Sequence, residues 1–130
     1  MIKRFHHVGI AVRNLDKAIQ FFEETYGAKL IFRQRFEDQK IESVLIAIGD
    51  AKFELSSSLD PQSAIGRFIE SQGEGIHHVS LEVDDFNLVM ETIKSKGLRV
   101  ISEADTEDFK AAFVHPKGNL GILTEIIQPK

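Results

Sequence analysis

The sequence predicts an α+β fold of two tandem β-α-β-β-β modules, and three observations predict it. A His-His-Val triplet opens an alternating strand twice, at His6-His7-Val8 and at His77-His78-Val79. The same separation of 47 positions links His7 to Glu54 and His78 to Glu125, so the two copies keep register over their whole length. In each half the apolar period changes in the same order, from two to helical spacing and back to two. Strands that pair without intervening helices, with one helix per half to cover one face, give α+β rather than α/β. The modules span residues 5–57 and 76–127, and residues 1–130 are expected to form a single domain, because either half alone would have a marginal core.

The elements follow in order. Residues 5–12 alternate Val8, Ile10 and Val12 with Gly9 and Ala11, a strand pattern. Asn14 is a suitable N-cap for a helix over 15–26, in which Leu15, Ala18, Ile19, Phe22 and Tyr26 form one stripe, and Gly27 suits its stop. Strands are predicted at 28–36, 41–48 and 51–57, with a polar turn at 37–40 and a tight turn at Gly49-Asp50. A linker helix is predicted near 61–72, with Pro61 in its first turn and Ile65, Phe68 and Ile69 buried. The second module repeats the order, with a strand at 76–83, a helix near 86–96 capped by Asp85 and stopped by Gly97, and strands at 98–103, 109–115 and 120–127. The acidic run Glu103–Asp108 reads as a solvated loop, and His115-Pro116 as a turn or rim element.

Composition narrows the function. A hydrophobic fraction of 42% and a charged fraction of 28% are ordinary for a globular protein. A net charge of −4 without a Lys/Arg cluster argues against a nucleic-acid partner. The absence of cysteine excludes disulfides and thiolate metal sites. No apolar run is long enough to span a bilayer and no signal peptide is evident, so no membrane partner and a cytoplasmic location are expected.

Strand parity sorts the polar groups, because successive side chains point to opposite faces. Val8, Ile10 and Val12 belong under the helix, which leaves His7 on the other face with Gly9 and Ala11. By the same rule His78 falls with Ser80 and Glu82, and Glu54 with Lys52 and Ser56. Glu125 is flanked on its own face by Leu123 and Ile127, a less clean pattern. The inner faces of a curved sheet would then enclose a metal-binding cleft. Two imidazoles and two carboxylates suit a divalent ion, Co, Zn, Ni, Mn or Fe, with positions left over for a chelating substrate. His6 and His77 read as structural.

The chain resembles the vicinal oxygen chelate superfamily, the glyoxalase/bleomycin resistance/dioxygenase proteins, and within it the methylmalonyl-CoA epimerase branch. The motifs that carry the resemblance are His6–Val12, Gly49–Leu55, Leu59–Ile65, Gly73–Asp85, Phe113–Lys117 and Gly121–Glu125. The resemblance implies a glyoxalase-like fold and metal ligation by His7, Glu54, His78 and Glu125. It also implies an isomerase that removes the C2 proton of methylmalonyl-CoA or a related 2-substituted acyl-CoA and returns a proton to the other face. Glu125 is one expected acid/base. The family places the other early in the third strand, where this chain has Glu42-Ser43.

Here the chain departs from the family pattern. The alignment puts the family's glutamate nearer Ser43, and parity sends Glu42 to the helix side unless a β-bulge turns it inward. Ser56-Ser57-Ser58 and residues 104–110 also differ from the branch. The expected partners are a small-molecule acyl-CoA or thiol-adduct substrate and a second copy of the chain in a homodimer. The alternatives are a glyoxalase-type lactoylglutathione lyase, which would use the same four ligands, and a non-catalytic binding or resistance protein, which would lack them.

Overall fold

The computed structural model describes all residues from Met1 to Lys130. Residues 7–77 form one compact unit, and residues 1–6 with 78–130 form the other. In chain order the elements are β1 (Ile2–Ala11), α1 (Leu15–Tyr26), β2 (Lys29–Phe36), β3 (Ile41–Ile48), β4 (Ala51–Ser58), α2 (Ala64–Gln72), β5 (Gly75–Val83), α3 (Phe86–Ser95), β6 (Val100–Asp105), β7 (Phe109–Val114) and β8 (Thr124–Pro129). Each half is β-α-β-β-β, as its sequence period implies. No helix is long and apolar enough to cross a membrane.

In the unit of residues 7–77 the strands run in the order β2-β3-β4-β1. Neighbours β2, β3 and β4 are antiparallel, and β1 lies parallel to β4 with Gly9 beside Glu54. The Asn14 side chain accepts the Lys17 N–H at 2.9 Å and starts α1. Gly27 ends it with a φ of 68°, a conformation that costs glycine little. Leu15 and Ile19 of α1 then bury against Val44, Ile46 and Leu55, of which Ile46 and Leu55 are fully inaccessible. That burial is the main stabilising term for this half.

The other unit has the order β5-β8-β7-β6, with β5 parallel to β8 and the remaining pairs antiparallel. Asp85 caps α3 by accepting the Leu88 N–H. Phe86, Val89, Met90 and Ile93 pack onto Val83, Ala112, Val114 and Ile126. The first residues of β1 belong to this unit: the Met1 ammonium meets Asp84 at 2.6 Å and Arg4 meets Glu82 at 2.7 Å. These two ion pairs explain why β1 begins at Ile2, three residues before its alternating apolar pattern.

Other boundaries differ from expectation too. The linker helix begins at Ala64 rather than near Pro61, because Ser63 is the cap and accepts the Gly66 N–H at 2.9 Å. The last strand begins at Thr124 rather than 120, because Leu120 and Gly121 have φ of 59° and 78°, values that no strand accommodates. Half of the acidic run is strand: Glu103–Asp105 belong to β6, and the short turn at 106–108 remains, held by Thr106 Oγ1 accepting from Asp108 and Phe109 N–H.

Gly66 supplies a test of this packing. Glycine inside a helix usually costs about 1 kcal/mol relative to alanine. A Cβ at Gly66, however, would sit 2.7 Å from the Pro61 carbonyl oxygen. Gly66→Ala is therefore expected to lower the denaturation midpoint rather than raise it, as urea unfolding would measure.

Candidate functional site

In the unit of residues 7–77, His7 is buried on β1 and shares its face with buried Gly9 and Ala11. The register between β1 and β4 brings Glu54 to the same face. His7 Nε2 lies 3.8 Å from Glu54 Oε1. That gap is too long for a hydrogen bond. It is close to the roughly 3.0–3.5 Å edge of a coordination polyhedron built on bonds of 2.0–2.2 Å. A neutral imidazole nitrogen and a carboxylate oxygen, one buried and one half-buried, form a donor pair that fits a borderline or hard divalent ion.

The same face carries a hydroxyl row. Ser56 follows Glu54 by two residues on β4, and its Oγ lies 2.7 Å from Ser43 Oγ on β3. Ser58 continues the row and meets Ser63 at the start of α2, at 2.8 Å. Ser43 and Ser56 were legible by parity, but nothing local in the sequence said that they would bond to each other.

Glu42 occupies the other face. The β3–β4 register runs without interruption from Ile41 opposite Ser58 to Ile48 opposite Ala51, so β3 has no bulge there. The one irregularity nearby lies in β2, between Leu30 and Phe32. Glu42 therefore points with Val44 and Ile46 toward α1. Arg33 donates to it at 2.9 Å and to Asp16, in the first turn of α1, at 2.7 Å. The hydrogen bond from Arg33 holds the Glu42 carboxyl below the usual carboxylate range, against a smaller opposing effect of burial.

In the other unit His78 is buried on β5, with its ring edge-on to Phe113 at 5.1 Å. Ser80, two residues on and fully inaccessible, donates its hydroxyl to Glu125 Oε1 at 2.7 Å. The parallel register sets Ser80 beside Glu125, and the antiparallel register sets Phe113 opposite it. Burial pushes the Glu125 carboxyl up to about 7, while the Ser80 hydrogen bond acts in the opposite direction. Ser80 is the partner of Glu125 that site-by-site sequence reasoning passed over, although its parity with His78 marked its face. In the unit of residues 7–77, His77 packs edge-on to Phe68 at 4.9 Å, and burial lowers its pKa.

The model of the Glyoxalase/Bleomycin resistance protein/Dioxygenase superfamily matches residues 6–113. The chain belongs to that superfamily. Among curated relatives of this superfamily member, the ethylmalonyl-CoA/methylmalonyl-CoA epimerase of Cereibacter sphaeroides is 32% identical, over 98% of the chain and 99% of the relative. The crystal structure of methylmalonyl-CoA epimerase from Mycobacterium tuberculosis superposes with a TM-score of 0.91 at 30% identity, covering 99% of this chain and 89% of that one. A variant of the Streptomyces coelicolor methylmalonyl-CoA epimerase, in complex with 2-nitronate-propionyl-CoA, gives 0.92 at 28% identity and covers 98% of both chains. The superposition fixes the fold as the glyoxalase-like α+β fold.

The Arg33–Glu42 pair yields a pH prediction. A carboxyl whose folded pKa is depressed stabilises the fold above its unfolded pKa, and that contribution is lost as pH falls through the folded value. Glu42→Gln should therefore cost about 0.5 kcal/mol near neutral pH, a partly exposed ion pair's worth. The difference from wild type should begin to shrink as pH falls below about 4.5 and should disappear only once pH has passed the lower folded value. Urea unfolding at pH 7 and pH 3 measures both.

Proposed function

We propose that this chain is a metal-dependent epimerase of methylmalonyl-CoA or a related 2-substituted acyl-CoA. The observation that supports it best is the placement of the donors. His7 and Glu54 in one unit, and His78 and Glu125 in the other, lie on strand faces turned away from α1 and α3. Full-length likeness to epimerases, one of them holding an acyl-CoA analogue, adds the substrate class.

In this reading the chain acts as one catalytic domain, and His7, Glu54, His78 and Glu125 hold one divalent ion; imidazole and carboxylate donors are the right type for Co, Zn, Ni, Mn or Fe. The bound ion would supply Lewis-acid polarisation of the substrate's carbonyl oxygens, which makes the C2 proton more acidic. Glu125 removes that proton, and water supplies one to the opposite face of C2. Ser80 holds its Oε1 in place, and Oε2 takes the proton from C2. The proposal keeps Glu125 as the acid/base and drops Glu42, whose carboxylate is committed to Arg33 on the helix face. The hydroxyls of Ser43 and Ser56, beyond Glu54 on the same face, give the substrate carboxylate a polar wall. A homodimer and a cytoplasmic location complete the reading. Exposed apolar side chains such as Phe21, Tyr26 and Phe32 supply contact area for a second copy.

Solvent-deuterium exchange at C2 of methylmalonyl-CoA is the test. The metal-loaded protein should exchange, and a chelator should stop it. His78→Ala should lose stoichiometric metal. Glu125→Gln should weaken metal binding and cut turnover by about 10²–10⁴, whereas Glu42→Gln should leave turnover near wild type. No exchange with metal bound, together with lactoylthiol formation from methylglyoxal and a thiol, would replace this reading with a glyoxalase one.

A further inference from the structure

In the unit of residues 7–77 the strand registers place apolar as well as polar side chains on the face of Glu54. One row across the strands runs Gly9, Glu54, Leu45, Phe32. The next row, two residues along each strand, runs Ala11, Ser56, Ser43, Gln34. The residues that separate the rows belong to the helix side. Ile10, Leu55 and Val44 pack into the core beneath α1, and Arg33 reaches Asp16 at the start of that helix. Alternation then turns both rows away from α1.

The rows differ in kind. Beyond Glu54 the first offers only carbon, from half-buried Leu45 and from Phe32, which is 51% exposed. The second offers hydroxyls and an amide: Ser56 Oγ lies 2.7 Å from Ser43 Oγ, and Gln34 stands opposite Ser43. Cross-strand partners have Cβ atoms about 4.5–5.5 Å apart, so Leu45 flanks the Glu54 side chain directly. Leu45 and Phe32 add nothing to the core beneath α1, and the apolar strip they form calls for an occupant.

A 2-alkylmalonyl head carries two unlike branches on one carbon, an alkyl group and a carboxylate. The hydroxyl row suits the carboxylate, and the carbon row suits the alkyl group. The strip also has length. It runs from β3 to β2, the edge strand, so no further strand closes it beyond Phe32. Neighbouring strands stand about 4.8 Å apart, roughly the reach of a three-carbon chain laid from Leu45 to Phe32.

We propose that Leu45 and Phe32 seat the C2 substituent of the substrate and select 2-alkylmalonyl-CoA thioesters whose substituent is longer than methyl. The assignment rests on the epimerase reading and narrows its substrate class. Phe32 lines the strip with one side of its ring, and its exposed flank stays open to a second copy.

Calorimetric titration of the zinc-loaded full chain with methylmalonyl-CoA and with propylmalonyl-CoA reads the selection as a ratio of dissociation constants. A fully buried methylene is worth about fourfold in affinity, so two partly covered ones should make the propyl thioester about tenfold tighter in wild type. Leu45→Thr and Phe32→Thr each keep a β-branched residue suited to a strand. Each should cut the ratio to about threefold or less, because part of the apolar cover is removed. Phe32 lies on an exposed edge, so its variant decides the matter even if Leu45→Thr does not fold. Leu88→Gln, at an exposed position on α3, is the control and should keep the wild-type ratio. A wild type that binds the methyl thioester as tightly as the propyl one overturns the proposal, as does a ratio that Phe32→Thr leaves untouched. Deuterium exchange at C2 tests the epimerase reading separately. Without exchange, a ratio that still falls in Phe32→Thr removes epimerisation and leaves the alkyl seat standing, whereas failure to bind either thioester removes both.

Discussion

The alternation of side chains along a strand is the constraint on which everything else here depends. Once Val12, Leu55, Val44 and Ile46 are committed to the core beneath α1, the intervening residues have no choice of face. His7, Glu54, Ser56 and Ser43 must then turn the other way. The same holds in the other half, where Val83, Ala112, Val114 and Ile126 pack under α3 and leave Ser80, Phe113 and Glu125 opposite. The hydrophobic effect thus orients the polar chemistry without acting on it. A one-residue slip of β3 would exchange Ser43 for Glu42 on the inner face, at the cost of taking Val44 and Ile46 out of the core beneath α1.

That constraint also gives the Glu42 arrangement its meaning. A carboxylate on the helix side needs a partner, and Arg33 reaches it from β2 while also holding Asp16 at the start of α1. The three residues tie strand to helix at the edge of the core. The glutamate that sequence resemblance offered for proton transfer is bonded to Arg33 on the helix side, and its neighbour on the opposite face is Ser43. The inner face of β3 and β4 is consequently lined by paired hydroxyls, which accept and donate hydrogen bonds but do not carry charge at neutral pH.

The two halves solve the same problem with different neighbours. Glu54 has His7 Nε2 at 3.8 Å. Glu125 accepts from Ser80, at the position equivalent to Gly9 in the first module, and is desolvated enough for its carboxyl to rise toward neutrality. The internal repeat therefore preserves the donor types while the residues beside them diverge.

By itself the sequence determined the two-module order, both helix caps at Asn14 and Asp85, the core stripes and the faces of His7, Glu54 and His78. These are local or periodic properties, decided by neighbours a few residues away. It left Glu125 ambiguous, because Leu123 and Ile127 on its own face are apolar. The Ser80 hydroxyl, 45 positions away, resolves that ambiguity. The unbulged register of β3, the Arg33 tether on Glu42 and the late start of β8 at Thr124 were likewise decided only by the tertiary structure. Each depends on which atom of a distant or turned segment comes within hydrogen-bond reach, and hydrophobic period carries no information about that.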